Sequence, residues 1–113
     1  MNYKIAIIGP SDTVSLFKAT GAEVFSATNS DETLEILKKL RKSTLSPDST
    51  EKYAIVMVIE NLLENIKEEE LIKFTESPLP ALLALPGLKG PSGISGEKLK
   101  KLAERAIGSN ILG

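Results

Sequence analysis

Tyr53 to Ile59, "YAIVMVI", is apolar at every position. An antiparallel strand with one wet face would alternate, so a run without alternation reads as a parallel strand covered by helices on both faces. Three further short apolar runs surround it, with helical patterns between. Tyr3 to Ile8, "YKIAII", closes at Gly9-Pro10 and reads as a strand entering a turn. Ala22 to Ser26, "AEVFS", is a weaker strand, and Ala81 to Leu85 is the fourth. Strands alternating with helices predict an α/β fold, a four-stranded parallel sheet with right-handed crossovers. The expected strand order is 2-1-3-4, a flavodoxin-like, Rossmann-like core without its fifth strand, with other orders left open.

The intervening segments carry helix signals. Asp12 is placed to cap a short helix to about Thr20, ended by Gly21. Asn29, with Glu32 three residues on, resembles a capping pair for a helix to about Arg41, with Leu34, Leu37 and Leu40 on one side. Residues 42–52, "KSTLSPDSTEK", read as a surface loop. A helix from Asn61 to about Phe74, with a break near Lys67, is stopped by Pro78 and Pro80. The expected organisation is a sheet domain over 1–86, a glycine-rich flexible loop over 87–96, and a C-terminal helix and tail over 97–113. In that last helix Ser95 is the cap, and Leu99, Leu102, Ala103, Ala106 and Ile107 form one apolar stripe. A helix this short is marginal alone in water, so its stripe packs on its own sheet or on a partner. Ile111 and Leu112 add apolar residues at the extreme C-terminus that also call for cover.

Composition narrows the chemistry. The 113 residues contain no cysteine and no histidine, which removes thiolate chemistry, cysteine-ligated zinc and the usual general base near neutral pH. A net charge of -1 and 4% aromatics argue against nucleic-acid binding. No apolar run approaches the roughly 20 residues of a membrane span, and the start lacks the apolar region of a signal peptide. The expectation is a cytoplasmic protein, or one held at a membrane through other proteins.

Three places invite a site. In such a sheet a ligand sits beyond the carboxyl ends of strands one and three, where Gly9, Pro10, Ser11 and Asp12 meet Glu60 and Asn61. Asp12 and Glu60 together could bind magnesium or share a proton, as in a small receiver-like ligand- or metal-binding domain. The plainer reading makes Asp12 a cap and sets Glu60 by the positive end of a helix. A receiver site also needs adjacent acids after the first strand, a hydroxyl after the fourth and a lysine after a fifth. The second place, "GLKGPSGISGEK", has the glycines of a phosphate loop, but Glu97 follows Gly96 where Lys and a hydroxyl are required. The third, Lys38, Lys39, Arg41 and Lys42, reads as cations offsetting the carbonyl end of their helix. No catalytic residue, cofactor or metal is expected.

Four fragments in order resemble a known family. "KIAIIGPSDTVSLFKATGAEVF", "IVMVIE", "PALLALPG" and "RAIGSNIL" are similar to segments of the F subunit of the V-type and A-type ATPases, over nearly the whole chain. Leu16 stands where that family often has glycine, and Asn110 where it often has an acid. The resemblance implies a non-catalytic rotor subunit of the central stalk. Such a protein binds the coiled coil of the stalk's D subunit, lies close to the stalk-seating C or d subunit, and strengthens or regulates coupling between ATP turnover and ion transport. Its C-terminal helix can approach the catalytic A/B head. Leu102, Arg105, Ile107, Ile111 and Leu112 are the residues expected to bind partners; no nucleic acid and no direct membrane insertion are expected.

Overall fold

The computed structural model describes residues 3–87. A four-stranded, all-parallel sheet runs in the order β2-β1-β3-β4, as the sequence predicts, from β1 (Lys4–Gly9), β2 (Glu23–Ser26), β3 (Tyr53–Ile59) and β4 (Ala81–Leu85). Six of the seven residues of β3 are buried, so the run without alternation is indeed a strand covered on both faces. Ala6, Ile7 and Ile8 of β1 and Val56, Met57 and Val58 of β3 are sealed from solvent and form the centre of the core. Apart from Gly87, the predicted 87–96 loop lies outside the described residues, as do the 97–113 helix and tail and the five expected partner-binding residues.

The first crossover departs from expectation at its start. Pro10, in extended backbone, occupies the N-cap position of α1 (Ser11–Val14), whose chain continues as a 3-10 turn over Ser15–Thr20. Pro10 has no N–H to lose there, and its carbonyl receives the N–H groups of Thr13 and Val14 at 3.0 and 2.9 Å. Asp12 is therefore not the cap. It lies in the first turn, its carboxylate accepting the N–H of Thr13 at 2.9 Å. Gly21 does end the segment, at φ 86°, a left-handed conformation that favours glycine.

The second crossover is α2 (Ser30–Leu45), capped as predicted: Asn29 Oδ1 accepts the Glu32 N–H at 2.8 Å. The Glu32 carboxylate turns back to the N–H and hydroxyl of Thr28, both at 2.9 Å, and those bonds hold its pKa below the usual value. This stabilisation is present above the ordinary carboxylate pKa and is lost as pH falls through the lowered one. The helix runs a turn beyond Arg41 because its hydroxyls find partners in the folded state. Thr44 Oγ1 donates to the Leu40 carbonyl (2.8 Å) while accepting the Tyr53 N–H (3.0 Å), and Ser43 Oγ donates to the Glu51 carbonyl (2.6 Å). Only 46–52 of the expected loop is loop.

The third crossover forms its α-helix only from Glu68, not from Asn61 as expected, although the chain does change direction near Lys67. A 3-10 turn over Glu60–Leu62 is separated from α3 (Glu68–Thr75) by Lys67 in extended backbone. Ser30 Oγ donates to the Leu62 carbonyl at 2.7 Å, and the Ile66 N–H goes to Leu63 instead. Glu68, Glu69 and Glu70 then complement the positive start of α3.

At the amino ends of the strands, Tyr53 is 3% exposed and its hydroxyl donates to Glu23 Oε2 at 3.0 Å. Lys4 lies 3.6 Å from Glu23 and also pairs with Glu51. Burial, and then the Glu23 carboxylate, push the phenol pKa well above its ordinary value. A raised pKa contributes stability that is whole below about 10 and declines as pH climbs toward the folded value. Tyr53→Phe should cost about 0.5–1.5 kcal/mol at pH 7 by urea unfolding. Between pH 9 and 11 its stability should fall less steeply than the wild type's, leaving the part owed to Lys4. An equally steep decline would contradict the assignment.

Candidate interaction surfaces

The strand order brings the carboxyl ends of β1 and β3 side by side, the place where a ligand crevice opens in folds of this kind. Here the space beside Gly9 is filled. A Cβ on Gly9 would stand 2.5 Å from Cγ1 of Ile59 and 3.1 Å from Cγ1 of Val14, and both side chains are buried. A Cβ on Gly87 would come within 3.3 Å of the same isoleucine. Asp12 is engaged with Thr13, and Glu60 is exposed in the turn that leaves β3. Among the described residues no group of three or more acidic side chains converges to hold a metal ion.

The basic cluster of α2 has a different role from the one expected. With the helix extended to Leu45, only Lys42 lies in the last turn, so Lys38 and Arg41 do not offset its carbonyl end. They face α3 instead: Lys38 lies 3.8 Å from Glu70, and Arg41 lies 3.8 Å from Glu76. Lys73 of α3 also lies 3.6 Å from Glu70, which two ammonium groups therefore share. Lys39 leaves the cluster and lines a separate recess with Lys4, Glu23 and Tyr53.

Between α2 and α3 these side chains rim an open groove of about 520 Å³, to which Leu34, Leu45 and Phe74 contribute its apolar surface. The inward stripe of α2 is Thr33, Leu37, Leu40 and Thr44, while Leu34 is half-buried at the groove. The sequence carried a trace of this surface. Leu34, Lys38, Arg41, Lys42 and Leu45 follow the three-and-four spacing of one helix face, but a face read alone does not reveal that α3 will lie beside it.

The described residues form a small parallel α/β domain whose outer helices α2 and α3 are joined by ion pairs. The chain belongs to the family of the ATP synthase (F/14-kDa) subunit, which matches residues 5–103. It is 32% identical over 112 residues to the F subunit of the V-type ATP synthase of Clostridium perfringens, covering 99% of this chain and 98% of that one. The Fusobacterium nucleatum protein of the same name is 33% identical over 110 residues, 97% of this chain and 96% of that one. The F subunit of the A-type ATP synthase of Methanothermobacter thermautotrophicus is 28% identical over 113 residues, covering 99% of each. The crystal structure of the V-type ATP synthase F subunit from Archaeoglobus fulgidus has a TM-score of 0.58. It is 14% identical, covers 75% of this chain and 99% of that one, and shares the fold.

Gly9→Ala should lower stability by about 1–3 kcal/mol, because the added Cβ meets the buried side chains of Ile59 and Val14 at 2.5 and 3.1 Å and forces a shift in the core. Thermal and urea unfolding check this. A neutral effect would mean that the crevice is more open than its packing indicates.

Proposed function

We propose that the chain is a non-catalytic subunit of the central stalk of a V/A-type ATPase. It binds the coiled coil of the stalk's D subunit and couples, or regulates, ATP hydrolysis or synthesis with ion transport. The observation that carries this reading is the family relation along almost the whole chain, with relatives named as the F subunit of V-type and A-type ATP synthases. The filled switch point supports it, since a domain that works through its outer surfaces has no use for a ligand crevice. In this reading the protein stands close to the stalk-seating subunit, on the cytoplasmic side and peripheral to the membrane. No helix among the described residues is long and apolar enough to cross a bilayer.

The C-terminal segment enters the same proposal. Residues 97–113, with Leu102, Arg105, Ile107, Ile111 and Leu112, act on partners, the catalytic head included, and 87–96 joins them to the sheet. Co-expression with the D subunit should yield a stable heterodimer by size-exclusion chromatography. Two folded chains that stay apart would overturn the proposal. Removal of 95–113 should leave a folded sheet and change the coupling or inhibition of ATPase activity in the assembled complex; an unfolded truncation would make the segment part of the core instead.

A further inference from the structure

The groove between α2 and α3 combines an apolar surface with under-compensated positive charge. Lys38, Arg41, Lys42 and Lys73 line it against one lining carboxylate, Glu70. The ion pairs at its rim are 3.6–3.8 Å long, loose for charge-assisted hydrogen bonds. Lys42 has no carboxylate partner among the described residues, and Arg41 Nε is buried there without an acceptor. Buried guanidinium nitrogens ordinarily have partners, so this N–H is free to take an acceptor from outside the described residues.

The shape suits a helix better than a compact ligand. A recess of about 350 Å³ continues the groove past Leu45 and Lys52 to Tyr3 and Leu79. At the opposite end, toward Asn29, the neighbouring recess is lined by Asp31, Glu32 and Glu35 beside Lys38, so the basic stretch ends there. Groove and recess follow α2 from Leu34 onward, about 18 Å at 1.5 Å per residue. Leu45 and Tyr3 are among the exposed large apolar side chains, at 43% and 46%. A helix laid in such a channel reads it with anchors spaced i, i+3, i+4 and i+7.

We propose that this groove is a docking site for an acidic amphipathic helix of a partner protein. Its aliphatic ridge rests on Leu34, Leu45 and Phe74, and its carboxylates meet Lys38, Arg41 and Lys73. Charge argues against the chain's own C-terminal segment as occupant: residues 88–113 carry five lysines and arginines against two glutamates. Like charge against the basic rim disfavours that pairing.

The test titrates the full-length chain with a designed 18-residue helical peptide, leucines at the anchor spacing and glutamates on the flanks. The same peptide with lysine for glutamate is the control. At low salt the glutamate peptide should shift NMR signals of Leu34, Leu45 and Phe74, and the lysine peptide should not. Lys38→Glu with Lys42→Glu, both at exposed positions, gives up the Glu70 ion pair and sets a carboxylate at the carbonyl end of α2, so it should lower the melting temperature by a few degrees, leave the chain folded, and weaken glutamate-peptide binding at least tenfold. Equal binding of both peptides, shifts elsewhere on the domain, or full affinity in the reversed variant would overturn the proposal. So would contacts from Phe74 to the Ile107, Ile111 or Leu112 methyls in the free chain, which would make the tail the occupant. Concentration-dependent dimerisation through the same residues would assign the groove to a second copy and overturn it equally. The stalk's coiled coil is absent from the assay, so its outcome is separate from that of the heterodimer test.

Discussion

The rest of the described structure depends on β3. A strand buried on both sides must be hydrogen-bonded along both edges and roofed on both faces. Its neighbours β1 and β4 supply the edges through parallel registers from Ile5↔Ile55 to Ile59↔Leu85. Right-handed connections then put α2, which passes over β1, and α3 on one side of the sheet. α2 packs against β1 and β3 and α3 against β4, and the groove runs along the seam between the two helices.

Much of this was legible in the sequence because the signals were local. Apolar runs, the Gly9-Pro10 stop, the Asn29 cap with Glu32 and the break at Lys67 each depend on a few neighbouring residues, and each appears where the pattern puts it. The misreadings arose where a local signal met a distant partner. Hydroxyls in "KSTL" look like loop, yet Thr44 binds the backbone of Leu40 and of Tyr53 at once and lets the helix continue. Asp12 has the chemistry of a cap, but the proline before it already satisfies the turn. Lys38 and Arg41 look like cations at a helix end. Their partners Glu70 and Glu76 lie more than thirty residues away, beyond any periodicity argument.

The site followed the same division. That Asp12 and Glu60 would sit at the switch point was legible from strand order, whereas the filling of that point by Ile59 and Val14 was not, since it depends on side-chain packing across two strands. Among the described residues, the ion pairs between the outer helices are long and Leu45 beside them is exposed. A family whose members are named as subunits of ATP synthases is one in which surfaces of this kind have partners to meet.

In the proposed role the chain serves coupling without performing catalysis. The most direct measurement is the number of ions transported per ATP hydrolysed by the purified, membrane-reconstituted complex, assembled without the chain and then supplemented with it. The chain alone should hydrolyse no ATP, and adding it should raise the ratio. An unchanged ratio, with the chain demonstrably bound, would rule out a role in coupling.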